Sequence, residues 1–402
     1  MTWLLSRRKR INDSGGSDRI LYVQYTNPCG YPPLEHSSRI LADAGWEVMF
    51  LGTGAFGAND LHFPSHSRIT VRRMNYCQPG YRQKLHYVRY CLWVLTWTIF
   101  WRPRVIYASD PLSSPIALAL TCVSGLRIIY HEHDSPNINA TGESSSRFTR
   151  LVLFARSKLA QRAECCVLPN EQRVVRFQES TGRRRDVFSV WNCPAKEEVS
   201  TDRSSFEGSE LWLLYHGSIT PPRLPTTVLE AMAVLPASVK LRVIGYETAG
   251  SVGYVRTLQR VAHQLGISNR VHILKAIPRV ELLKWCRKSD VGLMLLATTS
   301  DDINMRAMTG ASNKVFDYLA CGVALLVSES PEWRATFVEP GYGLGCTPDD
   351  PDSIGAALRW FLAHPDDLRA MGKRGQQRVA TDWNYHNQFT PVLQCLSQTI
   401  QQ

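Results

Sequence analysis

No stretch of the chain offers eighteen uncharged apolar residues, so a membrane-spanning helix is not expected. None of the eleven cysteines forms a Cys-x-x-Cys pair, which argues against zinc or thioredoxin chemistry. Their number is odd and several sit in apolar runs, Cys165 and Cys166 side by side, as core residues of a reducing compartment do. There is no P-loop, and no G-x-G-x-x-G opens the helix that follows the first strand. Residues 1–18 carry Arg7-Arg8-Lys9-Arg10 and a Gly/Ser segment, with too brief an apolar part for a signal peptide; they read as a basic flexible tail. Without secretion, the sequons at Asn12 and Asn139 carry no weight. The positive charge is diffuse and no nucleic-acid-binding module is recognisable, so nucleic acid is not expected as a partner.

What is present suffices for two ordinary domains: 402 residues, 44% hydrophobic and 20% charged. The net charge of +11 favours acidic partners such as nucleotide phosphates or anionic lipid headgroups. Ile20 to Tyr25 reads as a strand, followed by a loop through Gly30 and Tyr31, a helix through Arg39 and Leu41 closed by Gly45, and a strand from Glu47 to Leu51. That βαβ unit places its first loop at the carboxyl end of a strand, where open α/β sheets bind ligands. Further strands are expected at Ile69 to Arg72, Val105 to Ala108, Arg127 to His131 and Cys165 to Leu168, with Asp110 at the same rim. Alternating strands and helices predict a doubly wound parallel sheet. The cluster His131-Glu132-His133-Asp134 contains metal-ligand residue types but no third ligand at a recognisable spacing; a hydrogen-bonding site at the sheet edge is the preferred reading, and no metal is expected. Tyr87 to Arg102, with Trp93, Trp97 and Trp101 among cations, reads either as a crossover helix on the sheet or as a helix lying in a membrane interface.

Lys196 to Glu210 is charged, Ser-rich and apolar-poor, the composition of an interdomain linker between residues 19–195 and a second α/β domain at 211–382; residues 383–402 are expected as a helix returning to the first domain. Strand Leu211 to Tyr215 runs into His216-Gly217-Ser218 and on to Arg223, where glycine admits close backbone approach and the arginine offers a fork to phosphate. Leu241 to Ile244 ends in Gly245-Tyr246-Glu247, and Val271 to Leu274 ends in Lys275-Ala276-Ile277-Pro278. The stretch on which the reading centres is Ser312-Asn313-Lys314-Val315-Phe316-Asp317, closed by Gly322 and followed by an apolar strand. Ser312 and Asn313 suit a helix start, and Lys314 and Asp317 share one face of that helix. Free N–H groups, an ammonium and a carboxylate one turn deeper suit a phosphate joined to a ribose; the alternative on spacing alone is an ordinary surface helix whose Lys314 and Asp317 are solvated.

These segments, in order, resemble the family 4 retaining glycosyltransferases of GT-B fold: Tyr-His-Gly-Ser-Ile-Thr-Pro-Pro-Arg, the Gly245 turn, Ile-Leu-Lys-Ala-Ile-Pro, Ser-Asp-Val-Gly-Leu-Met-Leu-Leu and Ser-Asn-Lys-Val-Phe-Asp-Tyr-Leu-Ala-Cys-Gly. The resemblance implies two Rossmann-like domains facing across a cleft. It also implies transfer of a sugar from a nucleoside diphosphate sugar to a saccharide or lipid-linked acceptor, in surface polysaccharide or glycoconjugate assembly. By similarity, Arg223 and Lys314 neutralise the diphosphate and His131 meets the donor sugar. Gly217, Ser218, Gly245, Tyr246, Lys275, Ile277, Ser312, Asn313 and Asp317 hold the donor, Asp317 at the ribose, while Gly30, Tyr31, Asp110 and His133 face the acceptor. The family acts without a bound metal or other cofactor, the nucleotide sugar being a co-substrate, and the chain is expected in the cytoplasm, at the inner face of the membrane. The family's Glu-x7-Glu pair reads Thr309 and Asp317 here, the glycine-rich first loop reads Cys-Gly-Tyr-Pro-Pro, and Leu224-Pro225 stand where a second cation would follow Arg223. A nucleotide-sugar epimerase using Glu132 and His133, and a catalytically silent binding subunit of a membrane assembly, are the alternatives.

Overall fold

The computed structural model describes residues 18–136, 146–200, 210–296 and 300–398. Its first lobe is a seven-stranded sheet, β1 (Arg19–Val23), β2 (Glu47–Thr53), β3 (Ile69–Met74), β4 (Val105–Ser109), β5 (Arg127–His131), β6 (Cys165–Leu168) and β7 (Val187–Ser189), in the order β3-β2-β1-β4-β5-β6-β7. The second is six-stranded: β8 (Leu211–Ile219), β9 (Val239–Glu247), β10 (Val271–Lys275), β11 (Val291–Met294), β12 (Ala324–Ser328) and β13 (Gly343–Cys346), ordered β10-β9-β8-β11-β12-β13. Every pairing is parallel. Central strands such as Val105–Ser109 and Ala324–Ser328 are buried throughout, because helices cover both faces of a parallel sheet. In each lobe the strand order reverses beside the first strand, between β1 and β4 and between β8 and β11. A crevice opens there, at the carboxyl ends.

Two strands run further than expected. β8 continues through His216, Gly217 and Ser218 to Ile219, and β9 through Gly245 to Glu247, so these residues are sheet-paired and not loop. The last helix, Tyr385–Gln398, leaves the second lobe and packs on the first: Tyr385, Phe389, Val392 and Leu396 join the cluster of Tyr22, Phe50 and Tyr107, and the Tyr385 N–H donates to Pro194 O at 2.8 Å.

The Trp-rich segment is one helix, Tyr81–Trp101, whose tryptophans pack on the sheet as the crossover reading has it. Trp93, Trp97 and Trp101 lie half-buried against the first-lobe core, with the Arg72 guanidinium over the Trp97 ring at 4.5 Å. Leu85, Leu92, Ile99 and Phe100 face outward instead, each more than half exposed. Among the described residues no helix is long and apolar enough to cross a membrane.

Candidate active site in the interlobe cleft

The two crevices meet in a cavity of about 870 Å³. Gly30, Tyr31 and His133 line it from the first lobe; Gly217, Ser218, Arg223, Gly245, Tyr246, Ile277, Ser312, Asn313, Lys314 and Asp317 line it from the second. One cavity therefore gathers the arginine, the lysine and the carboxylate that the sequence reading needed on one surface.

Two glycines explain how backbone reaches this cavity. Gly217 and Gly245 are partners in the β8–β9 register. A Cβ on Gly245 would sit 1.8 Å from the Gly217 carbonyl oxygen. Gly217 itself has φ +102, and a Cβ there would come within 3.1 Å of Lys314 Cε and 3.3 Å of Nζ. Side chains are excluded so that the strand end can close on the lysine.

Lys314 is the second residue of the helix Asn313–Ala320 and is buried. Its ammonium lies 5.4 Å from the centre of the Tyr215 ring. Burial, helped by the charge of Arg223 and opposed by Asp317, brings its pKa down to about 7. Arg223 is half-buried, with NH1 donating to Ser218 Oγ at 2.7 Å. Ser312 occupies the N-cap position, but its hydroxyl turns to Met294 Sδ at 3.5 Å and caps nothing, leaving the helix N–H groups at the cavity without a side-chain cap. His133 Nδ1 and Nε2, Thr220 Oγ1 and Asn313 Oδ1 are also buried without a hydrogen-bond partner among the described residues. A polar ligand would satisfy them.

Asp317 is held more tightly than its sequence context suggests. Arg279 donates from NH2 to Oδ1 at 2.7 Å and from NH1 to Oδ2 at 3.1 Å, and His216 Nε2 lies 3.5 Å from Oδ2. The same guanidinium reaches Glu198 through Nε (2.6 Å) and NH2 (2.9 Å), and His36 lies 3.4 Å beyond. Burial would raise the Glu198 carboxyl, but Arg279 and the Ala195 N–H hold it down to about 2; burial takes His36 down to about 3, so it is neutral. Arg279 lines the cavity and carried no signal in the sequence. Neither did Glu35, a lining carboxyl that burial pushes up to about 7.

Three assigned residues stand elsewhere. His131 ends β5 behind the cavity wall, with Nδ1 2.7 Å from the Tyr107 hydroxyl and its ring centre 3.8 Å from that of His133, tilted by 37°, so His133 is the imidazole at the cleft. Asp110, at φ +65, does not line the cavity: Oδ1 accepts the His133 N–H at 2.8 Å and Oδ2 accepts from Gln24 at 3.0 Å, which fixes the loop that presents His133. Lys275 points out at the end of β10, while Ala276 and Ile277 form the wall. Glu132, the epimerase reading's proton acceptor, is buried in a two-pronged pair with Arg156. Thr309 is buried outside the lining, and its carbonyl accepts from Asn170 at 2.7 Å.

Arg173 closes the back of the cleft. Almost wholly buried, it donates to His133 O in its own lobe and to Asn304 O and Ala307 O in the other. Asn304 and Ser135 exchange two bonds of 2.8 Å beside it. The loop carrying His133 is thereby fastened to the segment that leads into Ser312.

Two family models match, a "Glycosyl transferase 4-like domain" over residues 34–192 and a "Glycosyl transferase-like" model over 226–394. The GDP-mannose-dependent alpha-(1-6)-phosphatidylinositol monomannoside mannosyltransferase of Mycolicibacterium smegmatis is 27% identical over 148 residues, 37% of this chain and 38% of that protein. The D-inositol 3-phosphate glycosyltransferase of Segniliparus rotundus is 26% identical over 185 residues, 45% of this chain and 39% of its own. The matched stretch thus spans less than two fifths of either curated relative. Among solved structures, sucrose-phosphate synthase from Thermosynechococcus elongatus superposes with a TM-score of 0.71 at 16% identity, over 96% of this chain and 99% of the other. Anabaena HepE in complex with UDP and glucose gives 0.69 at 16% identity, over 95% of this chain and 100% of its own. With both lobes matched by glycosyltransferase models and the whole architecture shared with GT-B structures, the chain belongs to the family 4-type glycosyltransferases of GT-B fold.

Proposed function

We propose that the chain transfers a sugar from a nucleoside diphosphate sugar to a saccharide or lipid-linked acceptor, in polysaccharide or glycoconjugate assembly. The observation that carries this reading is the convergence of Arg223, Lys314 and the uncapped start of the helix Asn313–Ala320 on one cavity. Positive charge fixed where a diphosphate departs is the largest single contribution such a reaction requires. Asp317 binds the ribose hydroxyls: each of its oxygens accepts from Arg279, and a carboxylate has lone pairs to accept more.

The reaction is read as metal-independent, without a cofactor, and retaining. The acceptor attacks on the face from which the diphosphate leaves, and the departing phosphate takes the acceptor's proton. In support, Asp317, the carboxylate beside the lysine among the described residues, is engaged by Arg279, which leaves it poorly suited to be a nucleophile.

The chain works in the cytoplasm as a peripheral protein at the inner membrane face. What supports this is the outward face of the helix Tyr81–Trp101, where Leu85, Leu92, Ile99 and Phe100 are exposed. From Tyr81 to Arg102 there are Arg82, Lys84, Arg89 and Arg102 and no acidic residue, a composition suited to anionic lipid.

A thermal-shift screen of nucleoside diphosphate sugars, followed by NMR of the transferred sugar's anomeric configuration, tests the reading. A stabilising donor and a product of unchanged configuration are expected. No binding of any nucleoside diphosphate would end the proposal, and an inverted product would end its retaining part.

A further inference from the structure

Beside the donor cavity lies a second one of about 300 Å³, sharing with it a wall of Gly30, Tyr31, Tyr246 and Thr248. It is built by the chain leaving β1, β2 and β3 and by the first turns of the helix Tyr81–Trp101. The turn after β2 explains its shape. Gly52-Thr53-Gly54-Ala55-Phe56-Gly57 spells G-x-G-x-x-G, but no helix follows it; the chain turns instead. A Cβ on Gly54 would lie 2.8 Å from the Tyr76 backbone nitrogen. Gly57, at φ +70, leaves only 3.0 Å between a Cβ and the Glu247 carbonyl oxygen of the other lobe. The glycines let β2's end close against both β3 and the second lobe.

The chemistry of this cavity differs from that of its neighbour. No Asp, Glu, Lys or Arg stands among the described residues that line it. Arg73, which leads toward Tyr76, points NH1 at the carbonyls of Asn59 (2.9 Å) and Leu61 (3.4 Å). Phe56 and Tyr76 lean together at the mouth, ring centres 6.4 Å apart, 46% and 37% exposed. Inside, the Tyr25 hydroxyl and His86 Nδ1 pair at 2.7 Å, and Gln83 adds a carboxamide that both donates and accepts.

We infer that this cavity is the acceptor subsite and that it selects an uncharged saccharide over a phosphorylated acceptor; the inference rests on the glycosyl-transfer reading of the donor cavity. Aromatic faces and the hydrogen-bonding groups of Tyr25, Gln83 and His86 match a pyranose, which presents C–H faces and hydroxyl edges. A phosphate in the same place would lose water with no lysine or arginine among the described lining residues to replace it. The acceptor hydroxyl reaches the donor at the shared wall of Tyr31 and Tyr246. Its oxygen bonds to the anomeric carbon as the bond from that carbon to phosphate breaks, the electron pair leaves on the diphosphate, and the acceptor proton follows it.

The test uses the full chain and the donor chosen by thermal shift, with two acceptor sets: maltose, cellobiose and lactose, and myo-inositol 1-phosphate and glucose 6-phosphate. At least one neutral disaccharide is expected to exceed both phosphorylated compounds in kcat/KM by more than about tenfold. Phe56→Ala and Tyr76→Ala, at exposed positions that spare the fold, should each raise the acceptor KM about tenfold while nucleoside diphosphate affinity stays within about twofold. A preference for a phosphorylated acceptor, an acceptor KM unmoved in both variants, or no use of any neutral disaccharide while the donor still binds would overturn the acceptor assignment alone. Failure to bind any nucleoside diphosphate would overturn it together with the donor reading.

Discussion

Arg279 grips Asp317 fork to fork, at 2.7 and 3.1 Å, and with the same guanidinium holds Glu198 at the end of the first lobe's exit segment. Replacing it with leucine leaves a buried carboxylate, Asp317, and a partly buried one, Glu198, facing each other without their cation. Arg279→Leu is expected to cost roughly 3–5 kcal/mol of stability, and Arg279→Lys part of that, since an ammonium cannot serve two carboxylates as a fork does. Denaturant midpoints measure it; a wild-type midpoint for the leucine variant would show that the pairing is dispensable.

Arg223 and Lys314 carry the proposed electrostatic role. Losing either should slow transfer about a hundredfold, roughly 3 kcal/mol of transition-state stabilisation. Rates close to wild type in both Arg223→Ala and Lys314→Ala would remove them from the mechanism.

Lys314 also sets a pH dependence. With a pKa near 7 in the free protein, it is charged below neutrality and loses its proton as pH rises. A bound diphosphate favours the charged form, so affinity should fall by up to about tenfold per unit above pH 7 until the pKa of the complex is reached. Calorimetric titration with UDP or GDP across that range checks the slope, and Lys314→Met should flatten it. On the stability of the unliganded fold the same shift has the opposite sense. The unfolded chain keeps this proton up to the ordinary lysine value of 10.5, so the residue destabilises the fold most below pH 7, and the penalty fades as pH rises.

The paired glycines predict unequal outcomes. Gly245→Ala drives a methyl into the Gly217 carbonyl and should break the β8–β9 edge, giving an unstable or insoluble protein. Gly217→Ala pushes on the flexible end of Lys314 and strains a left-handed backbone, so it should fold with a lower melting temperature and bind nucleoside diphosphate at least about tenfold more weakly. Equal melting temperatures for the two would contradict the geometry.

For the membrane contact, Leu92→Ser with Ile99→Ser should abolish flotation with vesicles rich in anionic lipid, whereas Trp97→Ser should damage stability instead. Flotation unchanged by the leucine and isoleucine replacements would exclude that face.

The two-lobed architecture and the stretch around Lys314 were legible because they rest on local signals: alternating strands and helices, helix-start residues and a glycine stop. Where β8 and β9 end was not legible, since Gly217 and Gly245 look like loop residues until each is seen beside the other. Arg279 escaped notice because its partners lie 38 and 81 residues away, and a lone arginine has no local pattern. Arg173 was invisible for the same reason, its acceptors being the distant carbonyls of His133 in its own lobe and of Asn304 and Ala307 in the other. The two histidines were misordered by a different cause. Alternation correctly placed His131 and His133 on one side of the strand, but β5 stops at His131, so the second ring stands beyond the sheet and in front of the first.

Because the helix Tyr385–Gln398 threads back onto the first lobe, the two halves are joined by a seated peg. Were the two halves severed, they would stay clasped through Tyr385, Phe389, Val392 and Leu396. A recombinant piece starting at Leu211 would instead carry that peg bare, a sticky apolar stripe prone to self-association.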